Sequence, residues 1–158
     1  MNFRHHNAFS SVIIASLAFG LALSSGLSAT YATSTVLPSV TAHVGVAPII
    51  GKPKGTAPAK LVSKDIITGK GKKALASSYI TAQYVLMDWK TGKVLQSSWT
   101  SGSFSTFLSG VIVGWQKGIP GMKVGGRRLL VIPHALAYPN GGGPAGTLVF
   151  VVDLLGVK

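Results

Sequence analysis

The sequence predicts an α+β fold, a strongly bent antiparallel sheet of about five strands wrapped around one short helix. Strand-like segments begin near Leu61 and recur to the end of the chain. Only one helix-like piece, Val111 to Gly118, lies among them.

The first 32 residues read as an export signal. Arg4, His5 and His6 make a polar start, an apolar run follows from Ala8 to Leu23, and small residues cluster at Ser24, Ser25, Gly26, Ser28 and Ala29. Such a leader is removed on export; an uncleaved membrane anchor is the alternative, although the run is short and broken by Ser. Residues 33–62 are Thr, Ser, Ala, Pro, Gly and Lys with little periodicity, punctuated by Pro38, Pro48, Pro53 and Pro58. That composition predicts a flexible basic arm, with Val44 to Ile50 able to pair as a short edge strand. Residues 63–158 form the folded domain.

Within that domain, Tyr79 to Leu86 alternates. Ile80, Ala82, Tyr84 and Leu86 fall on one face, Thr81 and Gln83 on the other. Trp89-Lys90-Thr91-Gly92 makes a turn, and Lys93 to Gln96 returns. Arg127 to Ile132 is a strand stopped by Pro133. Thr147 to Leu155 is almost continuously apolar, as expected of a strand covered on both faces.

Composition excludes much chemistry. The only carboxylates are Asp65, Asp88 and Asp153, too few for paired-carboxylate catalysis or a hard-metal cage. There is no Cys, so no disulfide, thiolate nucleophile or Cys-based zinc site exists. His134 is the single His of the domain and lacks partners. No cofactor and no metal is expected. The net charge of +12 raises nucleic-acid binding, but Lys52, Lys54, Lys60, Lys64, Lys70, Lys72 and Lys73 crowd a stretch poor in aromatics. Weak contact of the basic arm with a polyanion or a membrane surface fits better than specific nucleic-acid recognition. Nothing points to oligomerisation, so a monomer is expected.

Read in order, Tyr84, Gly92-Lys93, Ser97-Ser98, the run from Val111 to Arg128, Ile132-Pro133, Leu136-Ala137-Tyr138 and Thr147-Leu148-Val149-Phe150 resemble the FK506-binding protein (FKBP) family of peptidyl-prolyl cis-trans isomerases. The likeness covers about Leu61 to Lys158, and the lead-in is similar to that of exported actinobacterial members. The resemblance implies proline-containing polypeptides as clients and FK506-like macrolides as possible ligands.

Isomerisation of an X-Pro bond must surmount roughly 20 kcal/mol as the amide loses resonance, but it breaks no bond. A dry aromatic hollow that solvates the planar ground state poorly can favour the twisted amide without nucleophile or metal. The scarcity of acid-base residues is thus compatible with this reaction.

Carried over from the family, Trp115 forms the floor under the prolyl ring. Val111 and Ile112 line the helix entry, with the Ile112 N–H holding a substrate carbonyl. Tyr84 and Phe150 are walls, Tyr138 offers its hydroxyl, and Phe104 adds a wall unless Phe107 takes that place. Taken singly, Trp115, Phe150 and Val111 read better as ordinary core residues; the pocket rests on their joint order.

Three departures from the family pattern predict reduced activity and an altered macrolide response. Leu95-Gln96 stands where Phe-Asp is usual, so Leu95 is expected to narrow the aromatic wall and Gln96 to replace a carboxylate. Tyr138-Pro139 stands where Tyr-Gly is usual. The loop from Asn140 to Gly146 is short.

Overall fold

Alternating apolar residues do form strands here, and their register decides which side chains meet. The computed structural model describes residues 34–158. Six strands make one antiparallel sheet: β1 (Val62–Ile67), β2 (Tyr79–Asp88), β3 (Val94–Ser97), β4 (Phe104–Phe107), β5 (Arg127–Ile132) and β6 (Leu148–Val157). Their order is β1-β5-β6-β2-β3, and β4 pairs with the start of β2, beyond the reach of β3. β4 is the strand that sequence reading missed. The four residues of Phe104–Phe107 carry no alternation long enough to register.

The central strand, β6, is buried from Leu148 to Leu154 because β5 and β2 flank it and both its faces are covered. Its even-numbered residues, Leu148, Phe150, Val152 and Leu154, face one core. They are joined there by Ile80, Ala82 and Leu86 of β2 and by Leu130 and Ile132 of β5. The predicted inner face of β2 is thus the observed one, with Tyr84 packed at its edge. The turn into β3 is closed by Gly92 at φ 69°, as the left-handed position demands.

One short helix, α1 (Val113–Gly118), fills the concave side of the sheet. It sits unusually close to β5. A Cβ on Gly114 would lie 2.4 Å from Cγ2 of Ile132, and one on Gly118 would lie 2.7 Å from Cδ2 of Leu130. These glycines are four residues apart and so share one helix face. Their missing side chains set the helix-to-sheet distance.

The other face of the sheet is covered too, and this corrects an expectation. Residues 34–61 do not hang free as a flexible arm. Short bridges join Val36 to Lys54 and Val40 to Ile50, so the segment doubles back on itself. Leu37, Val40, Ile50 and Ala57 then pack on an apolar surface of Met87, Trp89, Leu129, Val131, Val149 and Val151. That surface is the odd-numbered face of β5 and β6, which would otherwise be wet.

A buried charge pins the segment down. Arg127 has no solvent exposure; its Nε and Nη2 donate to Asp153 at 2.5 and 2.7 Å. Nη1 and Nη2 also donate to the carbonyls of Thr41 and Val46 at 2.8 and 2.7 Å. Composition hid this packing because an irregular chain has no period, however well its few apolar residues are placed. The expected export signal lies outside the described residues. No helix among those described is long and apolar enough to cross a membrane.

Candidate functional site

Between α1, β2, β4 and the loop after β5 the aromatic residues leave a hollow of about 260 Å³. Tyr84, Gln96, Phe104, Val111, Ile112, Trp115, Tyr138 and Phe150 line it, with Gly110 at the rim. Trp115 is 3% exposed and is met edge-on by three rings. Centroid separations from it are 5.6 Å to Tyr84, 6.1 Å to Phe104 and 5.5 Å to Phe150, with interplanar angles of 88°, 83° and 83°. Edge-to-face geometry suits the ring quadrupoles and locks each wall against the floor.

Eight of the nine residues singled out from sequence therefore converge, and Leu95 does not. Along an extended strand neighbouring side chains point to opposite faces. Gln96 faces the hollow, so Leu95 turns away and is 41% exposed. It does not narrow the aromatic wall. The choice between Phe104 and Phe107 is also resolved. Phe107 stacks on Tyr79 at 4.9 Å, away from the hollow, and is 57% exposed.

A match to the FKBP-type peptidyl-prolyl cis-trans isomerase model runs over residues 70–155, more than half of the chain, and spans every lining residue. This chain belongs to the FKBP-type isomerase family. It is 50% identical over 113 residues to an FK506-binding protein of Corynebacterium glutamicum, covering 68% of this chain and 96% of the relative. It is 44% identical over 119 residues to an FK506-binding protein of Streptomyces anulatus, covering 70% and 96%. Among solved structures, Escherichia coli FkpA superposes with a TM-score of 0.58 at 37% identity, over 65% of this chain and 51% of that one.

Several residues of this FKBP-type site act by holding others, and sequence reading did not find them. Ser98 is buried beside the hollow. Its hydroxyl accepts from the Tyr84 N–H at 2.8 Å and donates to Oε1 of Gln83, tying the end of β3 to β2 at the tyrosine. Gln116, on the first turn of α1, donates from Nε2 to the Val111 carbonyl at 2.7 Å. That bond fixes the backbone just before Ile112, whose own carbonyl accepts from Trp115 and Gln116. The Ser pair stood within the motif without a role; no spacing rule flags Gln116.

The hollow's electrostatics are simple. Burial pushes the Tyr84 hydroxyl above its ordinary pKa, and the neighbouring Tyr138 pushes it further. Tyr84 is therefore a neutral phenol at all physiological pH. The Trp115 Nε1–H is buried without a hydrogen-bond partner among the described residues. Gln96, Tyr84 and Tyr138 supply the polar side-chain groups of an otherwise apolar lining.

Proposed function

We propose that this FKBP-type isomerase is exported and speeds proline-limited folding of envelope or secreted proteins. The carrying observation is the aromatic-walled hollow floored by Trp115, with three rings edge-on to the indole. In this reading the prolyl ring rests on Trp115 between Tyr84, Phe104 and Phe150. The Ile112 N–H and the Tyr138 hydroxyl align the peptide, and Val111 closes the helix side. Desolvation of the planar amide then lowers the barrier to rotation without any change of bonding. FK506-like macrolides would occupy the same hollow with altered affinity, since Gln96 stands in place of a carboxylate. A refolding or protease-coupled assay on a proline-containing peptide tests the reading; no acceleration at micromolar enzyme overturns it. Export is tested separately, by finding the processed chain in the culture medium or envelope fraction.

A catalytically weak binding module is the second reading. It is favoured by Gln96, which faces the hollow with no negative charge to offer. Such a module would suppress aggregation of unfolded clients while leaving isomerisation rates unchanged.

Polyanion or membrane-surface contact rests on a different observation. Asp153 and Asp65 are taken by Arg127 and Arg128, and Asp88 accepts from Thr91 within its own turn. No lysine among the described residues has a carboxylate partner, and Lys73 lies directly across a bridge from Lys123. Retention on anionic vesicles or polymers that fades with salt would support this contact.

A further inference from the structure

The Tyr138 ring is a wall of the hollow, and its hydroxyl acts on the Tyr84 phenol electrostatically but makes no hydrogen bond among the described residues. Something else must hold the ring, and the short loop that follows it is in place to do so. Pro139 fixes the backbone direction as the chain leaves the tyrosine. The Gly141 N–H donates back to the Tyr138 carbonyl at 3.2 Å and closes the turn. Gly141 and Gly142 then take φ of 85° and 84°, which reverses the chain with no neighbour within 4 Å of either missing side chain.

The reversal brings Gly143 down onto the tyrosine. A Cβ there would lie 2.5 Å from Cδ1 and Cγ of Tyr138 and 2.6 Å from Cδ2. These are the ring atoms nearest the tyrosine backbone. They do not sit at the far end of a flexible chain, so relief requires the whole ring to turn about χ1 or the loop backbone to lift away from it. Gly143 is not among the residues with positive φ. The left-handed region therefore does not bar alanine at this position, and the tyrosine ring is what opposes it.

We propose that Gly143 is a positioning residue for Tyr138: its bare backbone seats the ring and aims the free hydroxyl at the bound peptide, in place of a side-chain hydrogen bond to that hydroxyl. The proposal rests on the hollow being the isomerase site. The short loop is then a device in its own right. It trades apolar overhang above the substrate for a fixed tyrosine beside it, and specificity follows from which peptides tolerate an immobile wall there.

The test combines activity with a geometric readout. Gly143→Ala is made in the native protein and in Tyr138→Ala, which lacks Cγ and both Cδ atoms, and kcat and KM are measured separately for a proline-containing peptide. In the native background kcat/KM should fall on the order of tenfold, as for a reactive group displaced by about an ångström, with the thermal midpoint unchanged. In the Tyr138→Ala background the same substitution should change kcat/KM by less than about twofold, the mark of two residues acting through one contact. Equal losses in both backgrounds, or no loss in the native one, overturn the proposal. The Gly143 α-protons, lying over the ring face, should resonate upfield in the native protein and return to ordinary shifts in Tyr138→Ala. Ordinary shifts in the native protein also overturn it. Should the native protein prove inactive, the isomerase reading fails by itself, and the α-proton shifts still decide whether the seat exists.

Discussion

The two faces of the sheet are built from the same three strands, β2, β5 and β6, yet one is left open and the other is sealed. On the concave face, Phe150 and Tyr84 stop short of filling the space above Trp115, and a hollow of about 260 Å³ remains. On the opposite face, Val149, Val151, Leu129 and Val131 are covered by residues 34–61. The open face is bounded by aromatic rings locked edge-on. The sealed face is held by aliphatic contacts and one buried ion pair that also binds two backbone carbonyls. Stability and function are thereby separated: the seal can be disturbed without touching the hollow, and the hollow retuned without loosening the sheet.

The largest expected effect breaks the seal. Arg127→Met leaves Asp153 buried without its partner and two carbonyls without donors. Removing one member of a buried pair costs about 3–5 kcal/mol. Chemical denaturation should show that loss. At temperatures where the variant stays folded, its isomerase activity should remain within about twofold of native, because distant sites are nearly additive. A variant as stable as the native protein would mean that the segment is held by its apolar contacts alone.

A smaller change probes the hollow's rim. Gln116→Ala removes the bond to the Val111 carbonyl, worth about 1 kcal/mol net. It should raise KM more than it lowers kcat, because it loosens the backbone that presents Ile112. Unchanged KM in steady-state kinetics would show that α1 alone fixes that rim.

Substitutions on β3 sharpen the contrast within a single strand. Gln96→Asp should raise kcat/KM by a few-fold, on the order of one charge-assisted hydrogen bond. Leu95→Phe alone should do nothing measurable, since residue 95 faces away from the hollow. A gain from Leu95→Phe would show that β3 shifts when substrate binds.

The smallest effect is a pH dependence. Tyr84 holds its proton more tightly in the folded chain than in the unfolded one. Its contribution is complete below about pH 10 and is lost as the pH climbs through the raised folded value, because the unfolded chain then ionises first. Denaturation midpoints followed from about pH 9 upward should decline less steeply in Tyr84→Phe than in the native protein. Parallel declines would assign the slope to the other tyrosines.

Much of the hollow was legible because the motif residues are spread over elements whose order is fixed. The resemblance to the family's motifs singled out Tyr84, Phe150 and Trp115, and the alternation of β2, the apolar run of β6 and the single helix-like piece placed them on their elements. Leu95 failed because an aligned position does not say which way a strand turns its side chain; one residue of alternation separates it from Gln96. Phe104 and Phe107 stayed ambiguous because β4 is too short to show a period, and only its pairing with β2 assigns them. The covering of the outer face left no trace in composition, since a segment rich in Pro, Gly and Lys looks the same whether free or packed.

By itself, the sequence determined five of the six strands and the lone helix, because periodicity and turn chemistry are local and survive in one dimension, and its motif order marked the aromatic residues of the pocket. Only the tertiary structure decided that residues 34–61 close the sheet, that Arg127 ties them down, and that Gly143 rests on Tyr138. Each of those depends on groups brought together across many residues by the sheet's register, and no local pattern encodes such a meeting.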